Sequence, residues 1–264
     1  MKLAVLMAVH NNALTLKSAV NSILTQTYKD FEFIIINDAS TDDSLSILKN
    51  FKDKRIKIIT NRHQLGLTKS LNKGLAQIKT KYIARMDADD ISLPTRLEKQ
   101  VSYLDTHSQI GLLGSAAFLI NDQGKELGLK RFPSDYLHLR RQALSFCPFI
   151  HPTWMIRRSV LLQIGDYNES FPFAQDYELV LRLLNQFQAA NLEEPLIKYR
   201  VNSDSAISLG NLKKQELLAL KARFLALKNY HYSLFEAWKL VKPLLSFLIP
   251  VGIKKIIYRK FYWV

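Results

Sequence analysis

The chain has a single cysteine in 264 residues, Cys147, so it forms no disulfide within itself, and this suits a reducing cytosol. Its basic C-terminal region has no long apolar run. The longest charge-free stretch there, Pro243 to Ile253, falls well short of the roughly 20 residues that a spanning helix needs. The start, Met1 to Val9, is apolar but short and passes into His10-Asn11-Asn12 without a small-residue cleavage site, so it reads as a first buried strand rather than a signal peptide. No glycine-rich phosphate loop occurs before Asn37, and no recognised nucleic-acid motif occurs anywhere. Acidic residues are also short: 23 against 37 Lys and Arg, a net charge of +14. What is present is a foldable chain, 48% apolar, long enough for one domain or one and a half.

Most of the positive charge sits at the end. From Asn211 to Val264 eleven basic residues face only Glu216 and Glu236, interleaved with Phe224, Tyr230, Tyr232, Phe235, Trp238, Phe247, Tyr258, Phe261, Tyr262 and Trp263. Basic and aromatic residues mixed in this way suit the membrane interface, so residues 206–264 are expected to form a basic helical tail lying on an anionic membrane surface. Nucleic acid is the competing explanation of such charge, and without a motif it is not expected as a partner. A third reading is a helix pair packed on the domain, which residues 211–235 suit through Leu217, Leu218, Leu220, Leu225 and Leu227.

The first hundred residues alternate between two periodicities. Leu3 to Val9, Phe31 to Ile36, Arg55 to Thr60 and Tyr82 to Met86 read as buried strands. Leu16 to Gln26, Asp42 to Phe51 and Thr68 to Ile78 read as helices, the second opened by the capping signal Ser40-Thr41-Asp42. Repeated βα units predict an α/β fold with a Rossmann-like, mostly parallel sheet flanked by helices, whose ligand binds beyond the carboxyl ends of the strands. His10-Asn11-Asn12, Asn37 to Asp42, Asn61-Arg62 and Asp87-Ala88-Asp89-Asp90 each follow one of the four strands. They are expected to converge on one crevice.

The last of these is the most specific. On an extended segment Asp87 and Asp89 point the same way, and oxygen ligands suit Mg²⁺ or Mn²⁺ with positions left open for phosphate. A solvated acidic turn ahead of Pro94 is the plainer alternative.

The ordered blocks Ala8 to Asn12, Ser22 to Tyr28, Glu32 to Asp42, Leu65-Gly66-Leu67 and Ala84 to Asp90 resemble those of family 2 glycosyltransferases with the GT-A fold, over roughly residues 1–205. The resemblance implies a nucleotide-sugar-binding half at 1–105 and an acceptor-binding, catalytic half at 106–205. It implies that Val9, His10, Asn11, Asn12, Asp38, Asn61, Arg62, Lys69, Asp87 and Ala88 hold the nucleotide sugar, with Asp38 on uracil and Asp87 by the ribose, and that Asp89 ligates Mn²⁺ or Mg²⁺. His10 stands where the family commonly has an aromatic residue before the first Asn, and Asn37 where it commonly has an acid.

In the second half, Phe149 to Arg157 reads as a loop entering a strand and Ser159 to Ile164 as a short helix ended by Gly165. Asp176, in Phe173-Ala174-Gln175-Asp176-Tyr177-Glu178, either caps a helix or, as the resemblance implies, is the general base. Gln175 replaces the acid that commonly precedes it. His151, Trp154 and Gln175 are candidate acceptor contacts, His151 also suiting a buried structural role. Near Tyr199 to Ser203, where such enzymes often carry a metal-binding His, Asn202 stands instead; Arg200 and Arg182 read as ion-pair residues. No Q-x-x-R-W segment of processive synthases follows Asp176.

The function expected is inverting transfer of one sugar from a nucleotide-diphosphate sugar, a UDP-sugar by resemblance, to a glycan or lipid-linked acceptor in surface polysaccharide or lipopolysaccharide synthesis. The place expected is the cytosolic face of the cell membrane. The alternatives are a non-catalytic, membrane-bound glycan-binding subunit and a sugar-1-phosphate nucleotidyltransferase.

Overall fold

A computed structural model describes residues 1–201, 211–230, 232, 234–250 and 253–254. Asn202, Ser203, Lys255, Tyr258, Arg259, Lys260, Phe261, Tyr262 and Trp263 lie outside them. Four strands, β1 (Leu3–Val9), β2 (Phe31–Asn37), β3 (Ile56–Thr60) and β4 (Tyr82–Met86), alternate with helices α1 (Ala13–Leu24), α2 (Ser44–Asn50) and α3 (Leu67–Leu75). They pair in parallel in the order β3-β2-β1-β4. Val9 lies opposite Asn37, and Asn37 opposite Thr60, so the polar loops leave the sheet at one edge.

Alternation of side chains along the strands builds a core on each face. Leu6, Ile34, Ile36 and Ile83 pack with Leu71 and Leu75 of α3, while Val5, Met7, Phe33 and Ile35 pack with Leu16 and Val20 of α1. All are buried, and each side chain so buried contributes about 1.5–3 kcal/mol.

The sheet then continues through the second half. β5 (Ile91–Ser92), α4 (Arg96–Thr106), β6 (Ile110–Ile120), β7 (Glu126–Lys130), α5 (Tyr136–Ala143), a 3-10 turn (His151–Thr153), β8 (Met155–Arg157), α6 (Arg158–Ile164), α7 (Gln175–Leu183) and β9 (Gln188–Arg200) follow in turn. The strand order runs on from β4 as β8-β6-β9-β5, with β7 paired to β6. β8 is antiparallel to β4 and β6, and β9 is parallel to β6. The C-terminal extension comprises α8 (Leu212–Asn229), a 3-10 helix (Leu234–Leu240) and α9 (Val241–Leu248). Leu220, Ala222, Arg223 and Ala226 of α8 are buried, whereas α9 has no buried residue. Among the described residues no helix is long and apolar enough to cross a membrane.

Several helix boundaries differ from the sequence reading, among them the end of α3 at Leu75 rather than Ile78. α1 stops at Leu24, and the buried Gln26 ties it to α4 instead: its amide donates to the carbonyls of Ser22 and Leu93, and its oxygen accepts from Leu97 N. α2 starts at Ser44 without a side-chain cap, because Asp42 is engaged with Ala13 N and Ser44 N, both at 2.9 Å. Asp176 is not a cap either. Ala174 holds that position in the left-handed region at φ 56°, and Asp176 lies inside the first turn of α7.

Candidate active site

Each polar loop is shaped by the others. Asn11 has φ 54°, and its amide oxygen accepts from Thr41 N at 2.8 Å, so it joins the loops after β1 and β2 while itself standing exposed. His10 Nδ1 is 2.8 Å from the Asp38 carbonyl. A carbonyl only accepts, so Nδ1 carries the proton, and the ring orientation is fixed.

Asp38 is buried and holds the loop before α3. Its Oδ1 accepts from Asn61 Nδ2 at 2.7 Å and Leu65 N at 2.8 Å, and its Oδ2 from Gly66 N at 2.8 Å. Gly66 adopts φ 88°, a conformation suited to glycine. Burial works to raise the Asp38 pKa, but these donors together outweigh it and hold the carboxyl below its ordinary value. Asn61 is braced in turn by Lys73 Nζ at 2.7 Å.

These loops wall a cleft of about 350 Å³. Val9, His10, Asn12, Asp38, Asp87, Ala88 and Asp89 line it, as expected of them. Gln64, Ser70, Tyr199 and Arg200 line it too, and the sequence reading missed them as site residues. Asn61 is absent from that lining because it lies behind Asp38, and Arg62 and Lys69 stand exposed outside it.

The structure sorts the three acids of the cluster by burial. Asp90 is buried with Oδ1 accepting from Arg200 N at 2.7 Å, and burial, then the charges of Asp87 and Asp89, push its pKa well above the carboxylate range. It fastens β9 to this loop. Asp87 is paired with the buried guanidinium of Arg85. Asp89 is raised by burial and then by Asp87 to about 6. Two crowded carboxylates facing a cleft fit a divalent cation, since a cation removes the repulsion that raises Asp89. Among the described residues no three His, Cys, Asp or Glu side chains form a closed metal cage, so Asp89 would share an ion with diphosphate oxygens and water.

Arg200 corrects its reading as an ion-pair residue. It donates to main-chain carbonyls, from Nε to Asp89 O at 2.8 Å and from Nη1 to Asn121 O and Asp122 O at 2.7 Å, which sets the D-x-D backbone. Arg182 does pair with Glu178 at 2.8 Å, and it also donates to Gly165 O and Asp166 O.

Asp176 lies outside the lining of this cleft but within electrostatic reach of it. Burial raises its pKa, Asp87 adds to the rise and Arg85 opposes it. Part of the residue stays open to solvent. His151 is bonded at 2.7 Å from Nε2 to Tyr167 Oη and packs edge-on to Trp154, the ring centroids 4.6 Å apart. Burial and then Arg85 hold its pKa well below the ordinary histidine value, so the ring is neutral at physiological pH. Two acceptor candidates are corrected. Trp154, 1% exposed, backs His151 from the core, and Gln175 is buried in α7, so neither offers a surface to an acceptor.

Comparison with known proteins agrees with this geometry. Residues 4–165 match the family described as Glycosyl transferase family 2. The chain is similar to the O-antigen biosynthesis glycosyltransferase WbnJ of Escherichia coli, 37% identical over 77% of this chain and 81% of that one. It is also similar to the Escherichia coli UDP-Glc:alpha-D-GlcNAc-diphosphoundecaprenol beta-1,3-glucosyltransferase WfaP, 28% identical over 86% and 88%. Among solved structures, S. aureus TarS 1-349 in complex with UDP-GlcNAc superposes with a TM-score of 0.69 at 19% identity, covering 99% of this chain and 73% of that one. With its D-x-D cleft at the ends of four parallel strands, the chain belongs to glycosyl transferase family 2, has the GT-A fold and is a glycosyltransferase.

Proposed function

We propose that this enzyme transfers one sugar from a UDP-sugar to a glycan or lipid-linked acceptor in surface polysaccharide synthesis, with inversion at the anomeric carbon. The carrying observation is the position of Asp176, a partly buried carboxyl beyond the donor cleft and in electrostatic reach of Asp87. The halves 1–105 and 106–205 then divide donor binding from acceptor binding and catalysis. Val9, His10, Asn12 and Asp38 hold the base and ribose, Asp87 and Ala88 the ribose, while Asn61 and Asn11 keep these groups in place. Arg62 and Lys69 at the rim attract the nucleotide's charge.

Asp176 takes the proton of the acceptor hydroxyl as that oxygen bonds to the anomeric carbon and the bond to the diphosphate oxygen breaks. Asp89 would hold a divalent cation, Mn²⁺ or Mg²⁺, which would supply charge neutralisation for the departing nucleoside diphosphate. With one base and one displacement, an α-linked donor gives a β-linked product. Neutral His151 holds Tyr167 and the wall beside the base. The names of the relatives WbnJ and WfaP support the acceptor class, and the β linkage in WfaP's name supports inversion.

The C-terminal extension supports a place for the enzyme on the inner face of the membrane. α9 buries nothing, and Phe235 at 92% and Trp238 at 71% exposure precede it amid basic residues, the pattern of an interfacial segment. The expected outcome with purified protein, Mn²⁺ and a panel of UDP-sugars is transfer to one acceptor class with a β anomeric signal by NMR. An α product would overturn inversion.

A further inference from the structure

We propose that Lys130, Phe132 and Phe146 form an acceptor subsite for a glycosyl phosphate or diphosphate, the sugar lying against the aromatic pair and the phosphate meeting the ammonium. This rests on Asp176 being the base. The wall is built from two segments, the end of β7 with the loop that follows it and the loop after α5. Lys130 ends β7, and its Nζ is 5.4 Å from the centroid of Phe132. Phe132 stacks on Phe146 at 5.8 Å and 28°, and Phe146 stays 41% exposed.

One buried residue fixes the pair. Asn191 Nδ2 donates to Pro133 O at 3.0 Å and to Pro148 O at 3.1 Å, tying together the loops that carry the two rings. Gly114 makes room for this clamp, since a Cβ there would come within 2.1 Å of Asn191 Oδ1.

The same wall abuts the base. Tyr177, next to Asp176, donates from its hydroxyl to Ala143 O, and Arg223 donates to Leu144 O and Ser145 O at 2.9 and 3.1 Å, so the start of α7 is locked to the segment leading into Phe146. Cys147 lies between the two charges. Burial and then Asp176 keep its thiol protonated, against the pull of Lys130 and Arg223, so it is a neutral spacer rather than a nucleophile.

The Lys130 ammonium lies by the Phe132 ring rather than beside an acid. Among the described residues no carboxylate pairs with it, and the residue is exposed at the end of β7. An exposed ammonium with no acid beside it suits an anion, and lysine binds phosphate as a point charge. The donor's diphosphate belongs on the other wall at Asp89, so this cation is free for the acceptor. A sugar hydroxyl at Asp176 with its phosphate at Lys130 matches a glycan precursor still joined to a phosphorylated carrier.

The test is titration of the full chain, saturated with UDP and Mn²⁺ so that the donor cleft is filled. The probes are a short-chain alkyl N-acetylglucosaminyl diphosphate, the neutral alkyl N-acetylglucosaminide and an alkyl glucuronide. Wild type should bind the diphosphate at least tenfold tighter than either other probe. Lys130→Gln should abolish that preference, Lys130→Arg should restore most of it, and Phe146→Ala should weaken both N-acetylglucosaminyl probes. Equal or undetectable binding of all probes by wild type would overturn the proposal, as would a preference that survives Lys130→Gln. A preference for the glucuronide would reassign the site to carboxylates and overturn it as well. UDP affinity is read in the same samples: its absence in wild type counts against the transferase reading, whereas intact UDP binding with no probe preference counts against the subsite alone.

Discussion

On the proposed reading, the donor side and the acceptor side of the crevice are built in opposite ways. On the donor side, four loops leave four parallel strands at one edge, and each loop is bonded to the next: Asn11 to Thr41, His10 to Asp38, Asp38 to Leu65 and Gly66. Sheet register alone brings these residues together. On the acceptor side, Lys130, Phe146, His151 and Asp176 come from a hairpin, two loops and a helix start, held by buried clamps such as Asn191, Arg182 and Arg223. A site formed by strand ends is specified locally, whereas one formed by clamped loops depends on contacts that span much of the chain. The donor side should therefore tolerate loss of a single contact better than loss of its charged groups, and the acceptor side should fail through distant positions.

The sharpest break between the sides comes from Asp176→Asn. Turnover should fall by about 10²–10⁴-fold while UDP affinity is unchanged, measured by steady-state transfer and by titration. A parallel loss of UDP binding would mean that the two sides are not separable. Arg85→Met should be the next largest. It removes the buried cation that holds Asp87 and leaves that carboxylate facing Asp89, so UDP affinity should drop by about tenfold in titration, near the cost of a charge-assisted bond.

What the sequence made legible follows the same division. The strand ends of β1, β2, β3 and β4 and the loops after them could be read because buried parallel strands are apolar throughout and polar residues begin where burial stops. Arg200 was misread because a lone arginine in a pattern looks like an ion-pair partner, while its actual bonds are to carbonyls that no sequence pattern marks. Trp154 looked like a sugar platform and is core. An aromatic residue after His-Pro-Thr gives no sign of which way it points until β8 is seen to lie between β4 and β6. Residues 106–148 offer no motif, yet they contain the long β6 and the hairpin that carries Lys130. Phe132 and Phe146 gave no signal, since their stacking depends on Asn191, about fifty residues away.

A smaller effect sharpens the chemistry of the base. Burial raises Asp176, and a base works only when deprotonated, so the acid limb of kcat/KM should lie above the ordinary carboxylate value of about 4, with activity falling as pH drops through it. The same shift sets a stability sign. A carboxyl whose folded pKa is raised favours the fold when protonated, and that contribution is lost as pH rises through the raised value. Asp176→Asn should therefore raise the Tm at neutral pH by about 2–4 °C in calorimetry, even as it removes activity. A lowered Tm would mean that the carboxylate is held by bonds that favour its charged form.

The central claim is that the strand-end cleft is a metal-assisted nucleotide site served by a base outside it. Titration of UDP into wild type, Asp89→Ala and Asp176→Asn, with and without Mn²⁺, tests it most directly. The account predicts Mn²⁺-dependent binding that is lost in Asp89→Ala and kept in Asp176→Asn. UDP binding that ignores both Mn²⁺ and Asp89 would contradict it.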